Sequence, residues 1–405
     1  LVIYCSTQHP TEVQHKVATV LGLGMHEVRV EVRRMGGGFG GKESQANNLA
    51  IACAVASQVT GRPCKMRYDR DDDFLITGKR HDFRIDYQVG FDEMGKIQGV
   101  SFVHYIRCGW SQDLSLAVAD RAMLHADNAY HLEHCRVESH RLRTNMQSAT
   151  AFRGFGGPQG IIGMERVIDH IAYHLGVDSL TIRIRNYYSD ANAVVVAKPQ
   201  TTHYGMEVTD FGLNAMTEAL VKRCDYFSRR SNVEEWNQKN PVLKRGIALT
   251  PVKFGISFTL THLNQAGALV NLYQDGTLRM NHGGIEMGQG LFQKVAQIAA
   301  SVFGIDIEKV KITATDTAKV PNTSATAASS GSDLNGMAVK MACNEIRGRM
   351  SEFLSEYFQA KLTDICFQDN NVYIGIHGLS FAKAAKLCYE NRISLSSTGF
   401  YKTPD

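Results

Sequence analysis

The chain has 405 residues, 44% of them hydrophobic and 21% charged, with a formal net charge of +4. That length is too great for one ordinary domain and points to roughly two to three compact units, and the balance of residues excludes a disordered chain. The small charge, carried by scattered Lys and Arg residues, excludes a nucleic-acid track.

The nine cysteines lie far apart with no Cys-x-x-Cys pair, which reads as free intracellular thiols rather than a zinc or iron–sulfur site. No apolar run approaches the roughly 20 residues that span a bilayer, and no charged-then-apolar leader opens the chain. A soluble, cytoplasmic protein is expected. The chain enters at once on Leu1-Val2-Ile3-Tyr4 and ends at Tyr401-Lys402-Thr403-Pro404-Asp405 with no closing helix, so a piece of a longer protein is expected.

In chain order, the pattern predicts a helix over about 11–21 and a strand over Val28-Arg29-Val30-Glu31-Val32, whose apolar residues alternate with charged ones. Such a half-wet strand suits a mixed or antiparallel sheet. An Ala-rich helix over 47–59 closes at Gly61 and Pro63, and a strand is expected over 65–68. Strands fill 83–106 with a turn at 92–95. A helix over 158–175 has apolar positions at Ile162, Val167, Ile171 and Leu175 and stops at Gly176. The polar stretch 229–244 reads as a surface connection. The pattern restarts at Ile247-Ala248-Leu249, and a hairpin over 268–280 turns at Asp275-Gly276. The fold class is therefore α+β, mixed sheets with flanking helices, divided into residues 1–228, a connection over 229–244, and residues 245–405.

A weak internal echo runs through the chain. Val17-Ala18-Thr19-Val20-Leu21-Gly22-Leu23 matches Ala299-Ala300-Ser301-Val302-Phe303-Gly304-Ile305 at constant offset, and Val28-Arg29-Val30 then matches Val310-Lys311-Ile312. Each copy is a helix, a glycine stop and a strand, and each follows a glutamine, Gln8 or Gln289, though these are one residue out of register. Two related halves are expected.

Four loops rich in Gly, Ser or Ala, over 36–41, 153–157, 283–290 and 323–331, run into helices. Missing side chains let backbone N–H groups approach a ligand, and a helix start adds unpaired donors, so such loops favour phosphates and other anionic oxygens. In the first, Gly36, Gly38 and Gly41 fit G-x-G-x-x-G with Asp69 further on. The preceding strand, however, is half polar and no parallel βαβ series follows, so a nicotinamide dinucleotide fits poorly. The same loop spells the start of a P-loop, but Glu43 stands where Ser or Thr must hold magnesium. His170 and His174 have zinc-pair spacing without a third ligand and read, like His131 and His134, as solvated positions.

Together Ser6-Thr7-Gln8, Met35-Gly36-Gly37-Gly38-Phe39-Gly40-Gly41-Lys42-Glu43, Ala151-Phe152-Arg153-Gly154-Phe155-Gly156-Gly157-Pro158-Gln159, Lys253-Phe254-Gly255-Ile256-Ser257-Phe258-Thr259 and Gly288-Gln289-Gly290 resemble, in order and spacing, the molybdenum-binding region of the xanthine dehydrogenase family. The resemblance runs across essentially the whole chain. It implies two related molybdopterin-binding domains, the second truncated, and a molybdenum–molybdopterin cofactor in its plain or dinucleotide form.

The resemblance assigns Gln8, the backbone of Phe39, Arg153 and Ala328 to the surroundings of the metal, and Gly38, Phe39, Gly40, Arg153, Gly288, Gln289, Ala327, Ala328 and Ser329 to the cofactor. No side chain of the chain is needed as a metal ligand. The substrate would lie between the rings of Phe155 and Phe258, near Thr259, because two ring faces suit a planar heteroaromatic. Glu43 and Arg121 would bind its polar edges and stabilise charge as it develops. That charged pair favours a purine over an aldehyde.

The implied reaction takes hypoxanthine to xanthine to urate by attack of metal-bound hydroxide and hydride transfer, with electrons passing to Fe–S clusters and FAD on other domains or a partner subunit, in an assembly expected to be dimeric. The family's general base is a Glu after a Gly, and the chain contains no Gly-Glu pair. The piece is expected to stop before that residue and to be inactive alone. The competing readings are an aldehyde oxidase-type hydroxylase and a non-catalytic cofactor-binding protein.

Overall fold

The computed structural model describes residues 1–189 and 200–404. In chain order the first elements are β1 (Val2–Tyr4), α1 (Pro10–Leu21), β2 (Arg29–Val32), α2 (Ala46–Thr60), α3 (Arg70–Ile76), β3 (Phe83–Phe91), β4 (Ile97–Gly109), α4 (Ser115–Leu124), β5 (Cys135–Arg143), α5 (Gly157–Leu175) and α6 (Ser179–Asn186). There follow α7 (Leu213–Arg223), α8 (Tyr226–Lys239), β6 (Gln265–Leu272), β7 (Leu278–His282), α9 (Leu291–Phe303), β8 (Val310–Ile312), β9 (Thr315–Asp316) and α10 (Gly331–Phe358). The last are β10 (Ile365–Gln368), β11 (Asn371–Ile374), β12 (His377–Ser380), α11 (Phe381–Glu390) and β13 (Ser396–Lys402). Mixed sheets with flanking helices make this the expected α+β class.

The chain forms two compact units, neither of them a continuous segment. One comprises Leu1–Lys79, Thr150–Arg153 and Ile256–Asp405, the other Arg80–Ala149 and Gly154–Gly255. In the first unit β2 lies between β1, to which it is parallel, and β9, to which it is antiparallel. Its alternation works as expected: Val30 and Val32 are buried with Val13, Val17 and Ala50, while Arg29 and Glu31 face the wetter side. The sheet β13-β6-β7-β8 is covered by α9 and α10, with Val270, Met280, Val295, Phe303, Val339 and Ile346 fully buried between them. The second unit packs α5 on the sheet β3-β4-β5 through Met164, Val167, Ile168 and Ile171. Ile162, expected on that face, is instead 68% exposed.

The internal echo is a real structural repeat. Strand β1 leads through α1 to β2 in parallel, and β7 leads through α9 to β8 in parallel. Gly22 and Gly304 cap the two helices in the left-handed conformation, with φ of 65° and 61°, and donate to the same helix positions, Ala18 and Thr19 in one and Ala300 and Ser301 in the other. Helix α1 has 12 residues and α9 has 13, which is why the glutamines were out of register: Gln8 and Gln289 each stand two residues before their helix.

Several local expectations are overturned. Residues 65–68 form no strand; Met66 is 49% exposed, so the alternating residues have no core to face. Helix α3 follows instead, started by the Asp69 side chain, which accepts the Asp72 N–H. Ile247, Ala248 and Leu249 lie outside any strand or helix. Apart from these, the polar stretch over 229–244, expected as a surface connection, lies largely in the exposed helix α8, which buries only Tyr226 and is supported by an Arg230–Glu234 pair one turn apart and by Arg245 over the Trp236 ring. All nine cysteines are free.

Candidate functional site

In the first unit the loops are fastened to Gln8, which is 2% exposed. Its side-chain oxygen accepts the N–H groups of Gly40 at 2.9 Å and Lys42 at 3.4 Å, and its side-chain nitrogen donates to Thr326 O at 3.0 Å. The main chain repeats the arrangement: Gln8 N–H donates to Lys42 O at 2.8 Å, and Thr326 N–H donates to Gln8 O at 2.9 Å. Gly38 admits no side chain, because a Cβ there would lie 2.6 Å from Gln8 Oε1 and 2.8 Å from Met287 Sδ. The third loop is thereby brought to the same point, and it is held there by Met35 N–H on Glu286 O and Ile285 N–H on Thr326 Oγ1. Three of the four sequence-predicted loops converge in this way.

Their backbones are strained at the residues singled out from the sequence. Phe39, Ala328 and Ser329 have φ of 54°, 54° and 58°. A non-glycine residue there costs about 1–3 kcal/mol and persists only where its surroundings impose it. The surroundings do: Gly41 N–H donates to Gly38 O, Glu43 N–H to Gly40 O, and Ser257 N–H to Ala328 O. Gly40, at φ 94°, lies so close to the Ala151 backbone that a Cβ would come within 3.0 Å, which seats the first loop against the segment carrying Arg153. Glu43 is buried, while the Phe39 ring, Arg153, Ser329 and Thr259 are exposed. Phe258 is half-buried and pinned by Asn264, which accepts its N–H and donates to its carbonyl.

Sequence reasoning missed Glu286. Its carboxylate accepts the N–H groups of Gly288 at 2.8 Å, Gly290 at 3.1 Å and Phe292 at 2.9 Å. Burial works to raise this carboxyl, but the three N–H donors outweigh it and hold the group below the usual carboxylate range. Three N–H donors at the start of α9 are therefore already taken by an anion of the chain itself. Gln289 is exposed, and its side chain is bonded within its own loop, to Met287 N–H and Ile285 O. The available signal was a lone Glu among glycine and apolar residues just ahead of a predicted helix.

In the second unit Arg121 stands on α4 and is 6% exposed. Its Nη1 donates to Gly255 O at 2.7 Å, and its guanidinium lies 5.7 Å from the centre of the Phe254 ring. His125, one turn on, accepts the Gly255 N–H at Nε2, so its proton sits on Nδ1 and is donated to Arg121 O. Burial, then the nearby Arg121 and Lys253 charges, hold His125 below the usual histidine range. Glycines let α5 approach α4: a Cβ on Gly156 would lie 2.0 Å from Val118 O, and one on Gly160 2.3 Å from Ala122 O. Phe155, between Gly154 and Gly156, is left-handed at φ 50° and half-buried. His125 was not foreseen; its only sequence signal is its spacing from Arg121.

His170 and His174 are spent on β3, where His170 meets the Tyr87 hydroxyl and His174 the edge of the Phe91 ring. Among the described residues no group of three His, Cys, Asp or Glu side chains could hold a metal ion, and no helix is long and apolar enough to cross a membrane.

The molybdopterin cofactor-binding domain family matches residues 1–187 and again 219–405. Xanthine dehydrogenase of Calliphora vicina is 42% identical over 403 residues, and that of Dictyostelium discoideum 40% over 405, each match covering all of this chain. The chain spans 28% of the length of these curated relatives. Quinoline 2-oxidoreductase from Pseudomonas putida 86 superposes with a TM-score of 0.90 at 23% identity, covering the whole chain and 53% of that structure. The Cu,Mo-CO dehydrogenase does so with a TM-score of 0.86 at 19% identity, covering the whole chain and 53% of that structure. At these identities the superpositions speak for the fold.

Proposed function

This chain belongs to the xanthine dehydrogenase family, and we propose that it is the molybdenum-cofactor region of an oxidoreductase that hydroxylates purines, hypoxanthine to xanthine to urate. The observation that carries the reading is the convergence on the buried Gln8 of three loops rich in Gly, Ser or Ala, two of them with left-handed non-glycine residues. Identity of 40% or more to xanthine dehydrogenases along the entire chain supports the substrate class.

The residues present fit a cofactor gripped by backbone. Gly288 and Gly290 have φ of 96° and 76° and open space where a Cβ would stand, so a ligand can come close to their backbone although their N–H groups are held by Glu286. With Arg34 and Lys311 they line a cavity of about 680 Å³. Gln8 and the backbones of Phe39, Arg153 and Ala328 would surround the metal, and Gly38, Gly40, Gly288, Gln289, Ala327, Ala328 and Ser329 the pterin. When bound, that group supplies the two-electron redox chemistry of hydroxylation. The Fe–S clusters and FAD that would carry electrons onward are assigned to other domains or a partner subunit.

Phe155, Phe258 and Thr259 are assigned to the planar substrate, and Glu43 and Arg121 to its polar edges. Both charged side chains are buried in their own units, and a buried charge is a fixed partner that needs little reorganisation when charge develops on a ligand.

The test uses the full-length protein, assayed for molybdenum and pterin and then with hypoxanthine, xanthine and a panel of aldehydes. A charge-assisted hydrogen bond is worth about 1.5–3 kcal/mol, so Glu43→Ala is expected to lower kcat/KM for purines by about ten- to a hundredfold and to spare aldehydes. Equal losses on both substrate classes would remove Glu43 from substrate binding. Turnover of aldehydes alone by the wild type would replace the purine reading.

A further inference from the structure

Glu286 has a use that the proposed function does not assign. It stands between two loops: its carbonyl accepts Met35 N–H of the first at 3.0 Å, while its side chain gathers three N–H groups of the third. Oε1 takes Gly288 and Gly290, and Oε2 takes Phe292. The residue is 8% exposed. This is how an external anion would be held at a helix start, with two donors from the turn and one from the first helical residues. Gly288 and Gly290 have open space where a side chain would stand, and with Glu286 they line the cavity shared with Arg34 and Lys311.

We propose that Glu286 is a positioning residue that stands in for a bound anion at the start of α9 and fixes the third loop in its cofactor-receiving shape before any cofactor arrives. The proposal rests on the reading of this region as a molybdopterin site. Left-handed glycines have many alternatives open to them in the absence of restraint. Three charge-assisted bonds, each stronger than a neutral one, remove those alternatives in advance. A preordered loop then spends less of its binding energy on ordering. Substitution should therefore act on cofactor retention more than on the stability of the unit.

The experiment compares molybdenum and pterin per protein in the full-length wild type, Glu286→Ala, Glu286→Gln and Ser380→Ala. The last removes an ordinary helix cap in the same unit, where Ser380 accepts the Lys383 N–H. Glu286→Ala is expected to retain about a tenth of the wild-type pterin, the factor that corresponds to about 1.4 kcal/mol of lost preorganisation. Glu286→Gln should fall between, since one oxygen still accepts while its amide nitrogen faces an N–H. Acetate supplied during loading should recover pterin in Glu286→Ala and leave the wild type unchanged.

Hydrogen exchange on cofactor-free protein supplies a readout independent of loading, and the amides of Gly288, Gly290 and Phe292 should exchange faster in Glu286→Ala. Wild-type pterin content in Glu286→Ala, or an equal loss in Ser380→Ala, overturns the proposal, as does unchanged exchange at those amides. A wild type free of molybdenum and pterin instead overturns the reading beneath it.

Discussion

Gly40 N–H donates to Gln8 Oε1 at 2.9 Å, and this bond closes the first glycine loop over a side chain that also holds Thr326 O of the fourth. One amide thus does for two loops what a strand pairing does for two strands. Its oxygen and nitrogen are used in opposite directions, so neither a carboxylate nor an apolar side chain can replace it.

Gln8→Ala should therefore destabilise the first unit by about 2–3 kcal/mol, because it leaves a half-buried N–H and a buried carbonyl without partners. Gln8→Glu should be no better, since an oxygen would then face Thr326 O. Denaturant unfolding of the full-length protein measures this, and a midpoint within error of wild type for both variants would show that the loops are held by other contacts.

Much of this was legible in the sequence because it depends on residue types that admit few alternatives. The glycine turns, the Gly22 and Gly304 helix stops and the alternation of β2 each follow from local chemistry, and all are found. The repeat was legible for the same reason, down to its one-residue slip. The strand expected over 65–68 was not found, because period-two alternation fixes a strand only when a neighbour pairs with it. Glu286 and His125 left only faint signals in the sequence because their partners are backbone groups whose positions only the fold decides.

Three glycines with almost the same backbone angle separate strain from crowding. Gly40, Gly156 and Gly288 have φ of 94°, 93° and 96°. A Cβ would meet backbone at 3.0 Å on Gly40 and at 2.0 Å on Gly156, and nothing within 4 Å on Gly288. Alanine at Gly288 should cost only the conformational strain, about 1–3 kcal/mol. Gly40→Ala should cost more, and Gly156→Ala most, since Val118 O cannot move without shifting α4. Unfolding midpoints for the three variants should fall in that order, and a Gly288→Ala protein as damaged as Gly156→Ala would refute the ranking.

Two buried histidines predict an acid limit. Burial holds both His104 and His282 down at about 4, against about 6.5 in an unfolded chain. The native state therefore favours the neutral ring. Its advantage is complete above about pH 6.5 and is lost as the pH falls from there toward 4, when the unfolded chain takes up protons that the folded one refuses. His104 has no hydrogen-bond partner at either ring nitrogen among the described residues and packs against Phe83 and Phe102. His104→Leu should thus flatten the loss of stability between pH 6.5 and 4 at little expense at pH 8. A stability–pH curve as steep as wild type would assign the acid sensitivity elsewhere.

The last prediction concerns the strand-free segment that presents Phe254 and Gly255. Its Lys253 ammonium pairs with Asp127, a fully buried carboxylate that also accepts the Tyr188 hydroxyl at 3.4 Å. Asn128 beside it accepts Lys253 N–H at 3.1 Å and donates to Pro251 O at 3.0 Å. Breaking a buried pair from one side strands the other charge, at about 3–5 kcal/mol, whereas replacing both partners by apolar groups is often near neutral. Lys253 keeps some contact with water, so Asp127→Ala should fall at the low end, about 3 kcal/mol. Asp127→Leu with Lys253→Met should recover most of that loss. Arg121 and His125 reach Gly255 only if the segment stays in place, so the single variant should also quicken proteolysis near residue 253 while the double should not. If the double variant unfolds no later than the single one, the segment is held by Asn128 and its neighbours, and the ion pair is incidental to it.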